Sequence, residues 1–315
     1  MSTDNIKRIS IIVPVCNEKD NVELLYGKIT QVIDLLHYKF EVIFVDDGST
    51  DGTYNKLEQI HLKDKRVKII SHRRNFGKAA AYSSGFTYSL GDIIITMDGD
   101  LQDDPQEIPK FIDKLREGYD IVNGWKYQGK GPFFKRVPSK LFNIVTSYLS
   151  GVNLHDFNCP FKAYKHGVVE RLQIYGDLYR FIPIIASKRG YTITEVKISN
   201  SLRIHGKSKY GASRFINGFL DLLTVLFLTK FANSPLHLYG TVGLSLSTIG
   251  GIILLYLFTE FLKGIGIGSR PLLILGVLLF ILGIQFISVG LICEMIINTR
   301  DFSRDKQNIK EILGK

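Results

Sequence analysis

Short apolar runs and helical periods alternate along the first 125 residues. Arg8–Pro14, Phe40–Val45, Val67–Ile70, Asp92–Met97 and Asp120–Gly124 are short runs rich in β-branched residues. Such runs predict strands. Around 21–36, 53–62, 78–89 and 107–117 the apolar positions return every three or four residues, the spacing of one buried helix face. Strands alternating with helices predict an α/β fold, a mostly parallel sheet covered on both faces. In such folds ligands bind beyond the carboxyl ends of the strands. There the sequence puts Asn17 and Glu18, Asp46 and Asp47, and Asp98 and Asp100.

The pattern changes near residue 230. Leu238–Thr259 is 22 residues without a charge, and Pro271–Cys293 is 23 more. As helices these segments are each roughly 33 Å long, enough to cross a hydrocarbon core. Two buried helices of a soluble core are the competing reading, disfavoured because such helices rarely run this long without a charge. Two further segments, 133–149 and 211–231, combine apolar stripes with basic or isolated polar residues. Both suit amphipathic helices lying in the headgroup plane, and ordinary core helices are the alternative. The expected organisation is a head over 1–210, an interfacial helix over 211–231, two membrane spans within 235–298 and a basic tail over 299–315.

Composition sharpens that division. Of 315 residues, 40 are Lys or Arg and 30 Asp or Glu, a formal charge of +10. Mean hydropathy is nonetheless slightly positive, +0.09. Residues 1–230 carry 33 basic and 25 acidic side chains, against 7 and 5 in the last 85. The link Glu260–Arg270 holds only two basic residues, so the charge bias puts the head and both termini on the cytoplasmic side of the membrane. Met1–Arg8 is polar and the apolar run after it is short, so no signal peptide is expected. A chain 45% hydrophobic and 22% charged is not intrinsically disordered. Its three cysteines, Cys16, Cys159 and Cys293, are too few and scattered for a disulfide scaffold or a structural zinc site.

Three segments carry candidate chemistry. Asp98, Asp100, Asp103 and Asp104 place four carboxylates within seven residues after a strand. Like charges so close raise one another's pKa unless a cation offsets them, and a hard divalent ion bridging to substrate phosphates would do so. A solvated acidic turn is the plainer alternative. An EF-hand is excluded, since its sixth position is Asp103 rather than Gly and its twelfth is Pro109. Val45–Thr53 ends a strand in two carboxylates and turns into a helix, with Asp51 a candidate N-cap. Ser201–Tyr210 concentrates Arg203, Lys207 and Lys209. Gly206-Lys207-Ser208 is one glycine short of a phosphate-binding P-loop because Ser201 stands where the first Gly belongs. Cationic groups there suit a lipid phosphate or anionic headgroups.

Val13–Glu18, Val45–Thr53, Arg74–Ala81 and Met97–Pro105 together resemble the motifs of the inverting glycosyltransferases of family 2, which have the GT-A fold. The chain is similar especially to the polyisoprenyl-phosphate glycosyltransferases related to dolichol-phosphate mannose synthase, and the two-span tail extends the likeness. By that resemblance Pro14, Asn17, Glu18 and Asp46 line a nucleotide pocket and Lys78 lies near the diphosphate. Asp98 and Asp100 would hold Mg²⁺ or Mn²⁺ against the donor, with Gln102 a further ligand. His155–Tyr164 resembles the family's acceptor-side motif, which puts Asp156 in the catalytic-carboxylate position. Arg203, Lys207 and Lys209 would meet the acceptor phosphate.

The resemblance implies transfer of one sugar from a nucleotide-sugar donor to polyprenyl phosphate, undecaprenyl phosphate in bacteria, at the cytoplasmic membrane. UDP-glucose is the favoured donor, with GDP-mannose, UDP-N-acetylglucosamine and other UDP-sugars open. A processive polysaccharide synthase is the close rival. It is disfavoured because the one tryptophan, Trp125, lies in no Gln-x-x-Arg-Trp motif. A silent membrane-anchored nucleotide-binding protein is the rival of another class. Nucleic acid is not an expected partner, and a homo-oligomer is left open. His155 and His205 read as structural, Cys16 as packing. Lys126, after Trp125, stands where relatives often carry Arg.

Overall fold

The computed structural model describes residues 6–127, 133–170, 172, 178–199, 224–225, 227, 234–268 and 270–298. The chain forms two compact units, Met1–Val225 and Leu226–Lys315. In the first unit the strands are β1 (Arg8–Val15), β2 (Lys39–Asp46), β3 (Val67–Ser71), β4 (Ile93–Thr96), β5 (Ile121–Lys126), β6 (Lys162–Lys165) and β7 (Ile193–Ile198). The helices are α1 (Val22–Leu35), α2 (Thr53–Lys63), α3 (Lys78–Tyr88), α4 (Ile108–Arg116), α5 (Phe133–Ser150), α6 (His166–Val169) and α7 (Ile182–Lys188). The described strands make one sheet in the order β3-β2-β1-β4-β6-β5-β7. All neighbours are parallel except β6, which runs antiparallel to β4 and β5.

Strand sequence explains the layering. All but the first residue of β1 and of β2 is buried, as expected of strands covered on both faces. Helix α1 packs one face inward through Val22, Leu25, Ile29 and Ile33, each contributing about 2 kcal/mol by burial. Helix α4 does the same through Ile108, Phe111, Ile112 and Leu115, and the Phe111 ring stacks on Phe161 with centroids 4.4 Å apart. The chain order reverses about β1, with β2 and β3 on one side and β4 on the other. This is a topological switch point, where a ligand crevice is expected.

One expectation is revised in this unit, and two features add to the reading. Strands β6 and β7 lie beyond the alternating region and complete the sheet. The N-cap of α2 is Gly52, with φ of 90°, rather than Asp51. Asp51 instead stands one residue earlier and accepts the Thr53 N–H at 2.9 Å. Helix α5 carries its apolar stripe outward: Leu141, Ile144, Val145, Tyr148 and Leu149 are exposed, Tyr148 by 86%. Inward it buries Asn143, Thr146 and Ser150. That is the reverse of a core-facing amphipathic helix.

In the second unit Pro235–Leu262 and Pro271–Asn298 form an antiparallel pair of 28-residue helices. Both are long and apolar enough to cross a membrane, and their large side chains point mostly outward. Small residues let the backbones approach: a Cβ at Gly243 would meet the Gly283 carbonyl oxygen at 2.6 Å. Most of 211–231, the stretch 299–315 and the residues Arg203, Lys207 and Lys209 lie outside the described residues.

Candidate active site

The site gathers at the carboxyl ends of β1, β2 and β4. Pro14 is buried in β1 opposite Val45. Asn17, just past β1, has φ of 57°, a left-handed conformation that asparagine tolerates. Its N–H donates to Ser49 Oγ at 2.9 Å and its Oδ1 accepts the Thr50 N–H at 2.8 Å. Glu18 is tied down similarly, donating its N–H to Thr53 Oγ1 at 2.9 Å and accepting from Asn21 Nδ2 at 2.6 Å. Asp46 is buried and accepts the Ser49 N–H at 3.1 Å. These bonds join the β1 and β2 loops into one wall.

Asp47 builds the next wall. Its carboxylate accepts the N–H groups of Phe76 at 2.9 Å and Gly77 at 2.8 Å, and His72 Nδ1 donates to it at 2.8 Å. The loop before α3 is thereby folded against the β2 turn. Gly48 permits the contact: its φ is 71°, and a Cβ there would fall 2.5 Å from the Arg74 carbonyl carbon. Lys78 follows at the start of α3 and places its ammonium 2.7 and 2.8 Å from the two oxygens of Asp98.

The four crowded carboxylates divide their work. Asp98 pairs with Lys78. Asp103, fully enclosed, pairs with Lys126 at 2.8 Å and accepts the Asp98 N–H at 3.0 Å. Burial pushes the Asp103 carboxyl up from the ordinary aspartate value, and Lys126 pulls it back. Asp104 caps the following turn by accepting the Gln106 N–H at 3.1 Å. Asp100 is buried and accepts the Gln102 N–H at 3.1 Å. Two lysines therefore supply much of the compensation for which the sequence suggested a metal alone. Leu101, between Asp100 and Gln102, is held at φ of 62°, strain of the kind concentrated at functional sites.

A divalent cation still fits. Asp98, Asp100 and Gln102 offer hard oxygen donors two residues apart. Among the described residues no cluster of three His, Cys, Asp or Glu side chains forms a closed metal site. Mg²⁺ or Mn²⁺ would therefore need substrate phosphates to complete its coordination beside these two carboxylates.

Asp156 enters from the other half of the sheet, in the loop before β6. It is half-buried, and its Oδ1 accepts the Asn158 N–H at 3.0 Å. Burial pushes its carboxyl above the ordinary aspartate value, opposed by the charges of Lys162 and Lys126 and by the N–H groups of Asn158 and Cys159. Lys126 thus links the two halves, paired with Asp103 and facing Asp156. Next to Asp156, His155 stacks on Trp125 with centroids 3.8 Å apart and pairs with Glu195, the packing role expected of it. Sequence reasoning assigned no role to Lys126, Lys162, Asn123 or Asn143. The only signal for Lys162 was its place in the His155–Tyr164 motif.

Comparison with known proteins gives the family and the fold. The sequence profile described as Glycosyl transferase family 2 matches residues 10–173. The chain is 36% identical to the dodecaprenyl-phosphate galacturonate synthase of Rhizobium johnstonii, over 96% of this chain and 92% of that one. It is 35% identical to the undecaprenyl-phosphate 4-deoxy-4-formamido-L-arabinose transferase of Pseudomonas fluorescens, over 91% and 83%. Among solved structures, the glucosyl-3-phosphoglycerate synthase of Mycobacterium tuberculosis, in complex with Mn²⁺, UDP and phosphoglyceric acid, superposes with a TM-score of 0.56 at 20% identity, covering 71% of this chain and 80% of that one. The likeness shows the shared GT-A fold.

Proposed function

Since the chain belongs to glycosyl transferase family 2, we propose that it transfers a single sugar from a nucleotide donor to a polyprenyl phosphate at the membrane surface. One observation carries the reading: Asp46, Asp98 and Asp100 gather at the carboxyl ends of parallel strands, with Lys78 on Asp98 at 2.7 Å and Lys126 on Asp103 at 2.8 Å. The dodecaprenyl- and undecaprenyl-phosphate enzymes among its relatives supply the acceptor class.

In this reading Pro14, Asn17, Glu18 and Asp46 line the nucleotide pocket, and Lys78 stands beside the diphosphate. Asp98, Asp100 and Gln102 would hold Mg²⁺ or Mn²⁺, which when bound would offset charge developing on a departing diphosphate. A phosphate monoester has a second pKa of about 6, so the acceptor is mostly dianionic at neutral pH and is itself the nucleophile. Asp156 therefore acts by orienting the acceptor and its cationic partners as much as by removing a proton. Attack from the face opposite the leaving diphosphate inverts the anomeric carbon. Arg203, Lys207 and Lys209 meet the acceptor phosphate.

The outward stripe of α5 supports an interfacial seat for 133–149, beside basic Lys135, Arg136 and Lys140 in sequence. The apolar hairpin supports anchoring, with the head, the basic tail and the proposed helix over 211–231 on the cytoplasmic side.

UDP-glucose is the first donor to test. Nucleotide-activated galacturonate and 4-deoxy-4-formamido-L-arabinose join the panel because of the relatives. Purified full-length protein in lipid nanodiscs, given undecaprenyl phosphate and each donor with Mg²⁺, Mn²⁺ or EDTA, should glycosylate the lipid with one donor and stop in EDTA. Lipid product formed equally in EDTA would remove the cation from the account.

A further inference from the structure

The loop that carries Asp156 hangs from three side chains on three elements. Asn143 of α5 donates to the His155 carbonyl at 2.9 Å and accepts the Phe157 N–H at 3.4 Å. Asn123 of β5 donates to the Asp156 carbonyl at 2.7 Å. Lys162 of β6 is the third and the least expected. It is 2% exposed, and its ammonium donates to Asn123 Oδ1 at 2.5 Å, to the Phe157 carbonyl at 3.3 Å and to the Cys159 carbonyl.

An ammonium has three protons, and here three neutral oxygens receive them. The nearby acids are otherwise matched directly, Asp98 with Lys78 and Asp103 with Lys126. Lys162 instead gives its bonds to an amide oxygen and two loop carbonyls; burial lowers its own pKa, and its charge favours the ionised form of Asp156. Burying a cation is costly, and an apolar residue of similar volume would pack this position at less expense. Register explains how the contact arises: Lys162 lies directly opposite Asn123 across the antiparallel β5–β6 pair, so the two side chains share a face.

We propose that Lys162 is a positioning residue for sugar transfer: its buried ammonium fixes the backbone on the C-terminal side of Asp156 and supplies positive charge that this carboxylate faces. The inference rests on the reading of Asp156 as the acceptor-side carboxylate. Among the described residues, the charged groups facing Asp156 are Lys162 from β6 and Lys126 from β5, with the uncharged Cys159 thiol beside it. Helix α5 contributes the uncharged Asn143, and β7 contributes Glu195 through its pairing with His155.

The test compares initial rates of transfer to undecaprenyl phosphate as a function of pH, for full-length variants in nanodiscs. The acceptor's own second ionisation is common to all of them, so displacements between variants are the readout. Lys162→Met should lower kcat by about 10- to 100-fold, the scale of a small misplacement of a reacting group. It should also move the acid limb upward by about one pH unit, as expected when a facing cation is lost. The donor KM should hardly change. Asn143→Ser loosens the same loop without altering charge and should lower kcat with the limb unmoved. If Lys162→Met leaves the limb where Asn143→Ser leaves it, the inference is overturned. Should Lys162→Met fail to fold, Asn123→Asp puts a carboxylate on the same ammonium and should raise the limb likewise; an unmoved limb there overturns the inference too. Asp156→Asn separates the two levels. If it is inactive while Lys162→Met keeps the native limb, only the role of Lys162 falls. If Asp156→Asn stays active, the reading of Asp156 falls with it.

Discussion

On the β3-β2-β1-β4 side of the sheet, four carboxylates are satisfied within three residues of themselves. Asp46 takes the N–H of Ser49, Asp51 that of Thr53, Asp100 that of Gln102 and Asp104 that of Gln106. On the β6-β5-β7 side, the Asp156 loop is held instead by buried side chains from distant elements, with Lys162 reaching Asn123 across 39 positions. Short loops ordered by their own backbone suit a nucleotide and its diphosphate, whose features lie within a few ångströms of one another. In the proposed reading Asp156 is instead placed relative to a separate lipid substrate, and a buried cation and amides hold its loop at the cost of desolvation. Chemistry on the first side is written in contiguous motifs, and on the second in tertiary contacts.

The sharpest way to break this contrast is to remove one carboxylate from each side. Asp100→Ala should lower transfer by about 10³-fold, the scale of losing preorganised charge stabilisation, and should weaken activation by Mg²⁺ or Mn²⁺. Titrating the cation against initial rate checks both. Asp156→Asn should cost about 10²-fold or more while leaving the donor KM near the native value, measurable by varying the donor at saturating lipid.

Asp156→Asn also carries an expectation of opposite sign. Burial holds the folded-state carboxyl above its unfolded value, so the folded chain binds that proton more tightly. The contribution of Asp156 to stability therefore falls as pH rises from the unfolded pKa through the folded one. At neutral pH Asp156→Asn should raise Tm even as it removes activity, and the gain should vanish at acid pH. A thermal melt at two pH values decides it, and a lower Tm at neutral pH would contradict the burial assigned to this group.

Smaller effects test the walls. Lys78→Met leaves Asp98 without its ammonium and removes a cation from the diphosphate, so the donor KM should rise by about tenfold, the worth of a charged hydrogen bond. Gly48→Ala puts a Cβ into the Arg74 backbone at a positive φ and should destabilise the chain by about 1–3 kcal/mol, read from denaturant unfolding of the head's signal. Ile144→Glu, on the outward stripe of α5, should change stability by less than about 0.5 kcal/mol, as surface substitutions do. It should slow transfer to bilayer-borne acceptor severalfold, yet not transfer to a short, water-soluble prenyl phosphate.

The same contrast governs how much was legible in the sequence. Strands β1 to β5 were readable as short β-branched apolar runs, and helices α1 to α4 from the spacing of the face each buries. The donor-side residues were readable because they cluster in short contiguous segments at strand ends, although Asn17, Glu18 and Lys78 find partners 20 or more positions away. Strands β6 and β7 fall after the alternation ends, and β6 runs antiparallel. Nothing local in Lys162 reveals that it opposes Asn123. The acidic loop shows the same limit from the other side: its four carboxylates were visible as a cluster, but relief by Lys78 and Lys126 depends on the placement of α3 and β5. For α5, periodicity gave the stripe and left its direction open. The inner face is polar, and there Asn143 bonds the backbone on both sides of Asp156.

The central claim is tested most directly by the mass of the lipid product made from undecaprenyl phosphate and the accepted nucleotide sugar. The account predicts a gain of one glycosyl unit on the phosphate, with a nucleoside diphosphate released, and loss of that product in Asp100→Ala. A gain of sugar plus phosphate with a nucleoside monophosphate released, a ladder of added sugars, or an undiminished product from Asp100→Ala would contradict it.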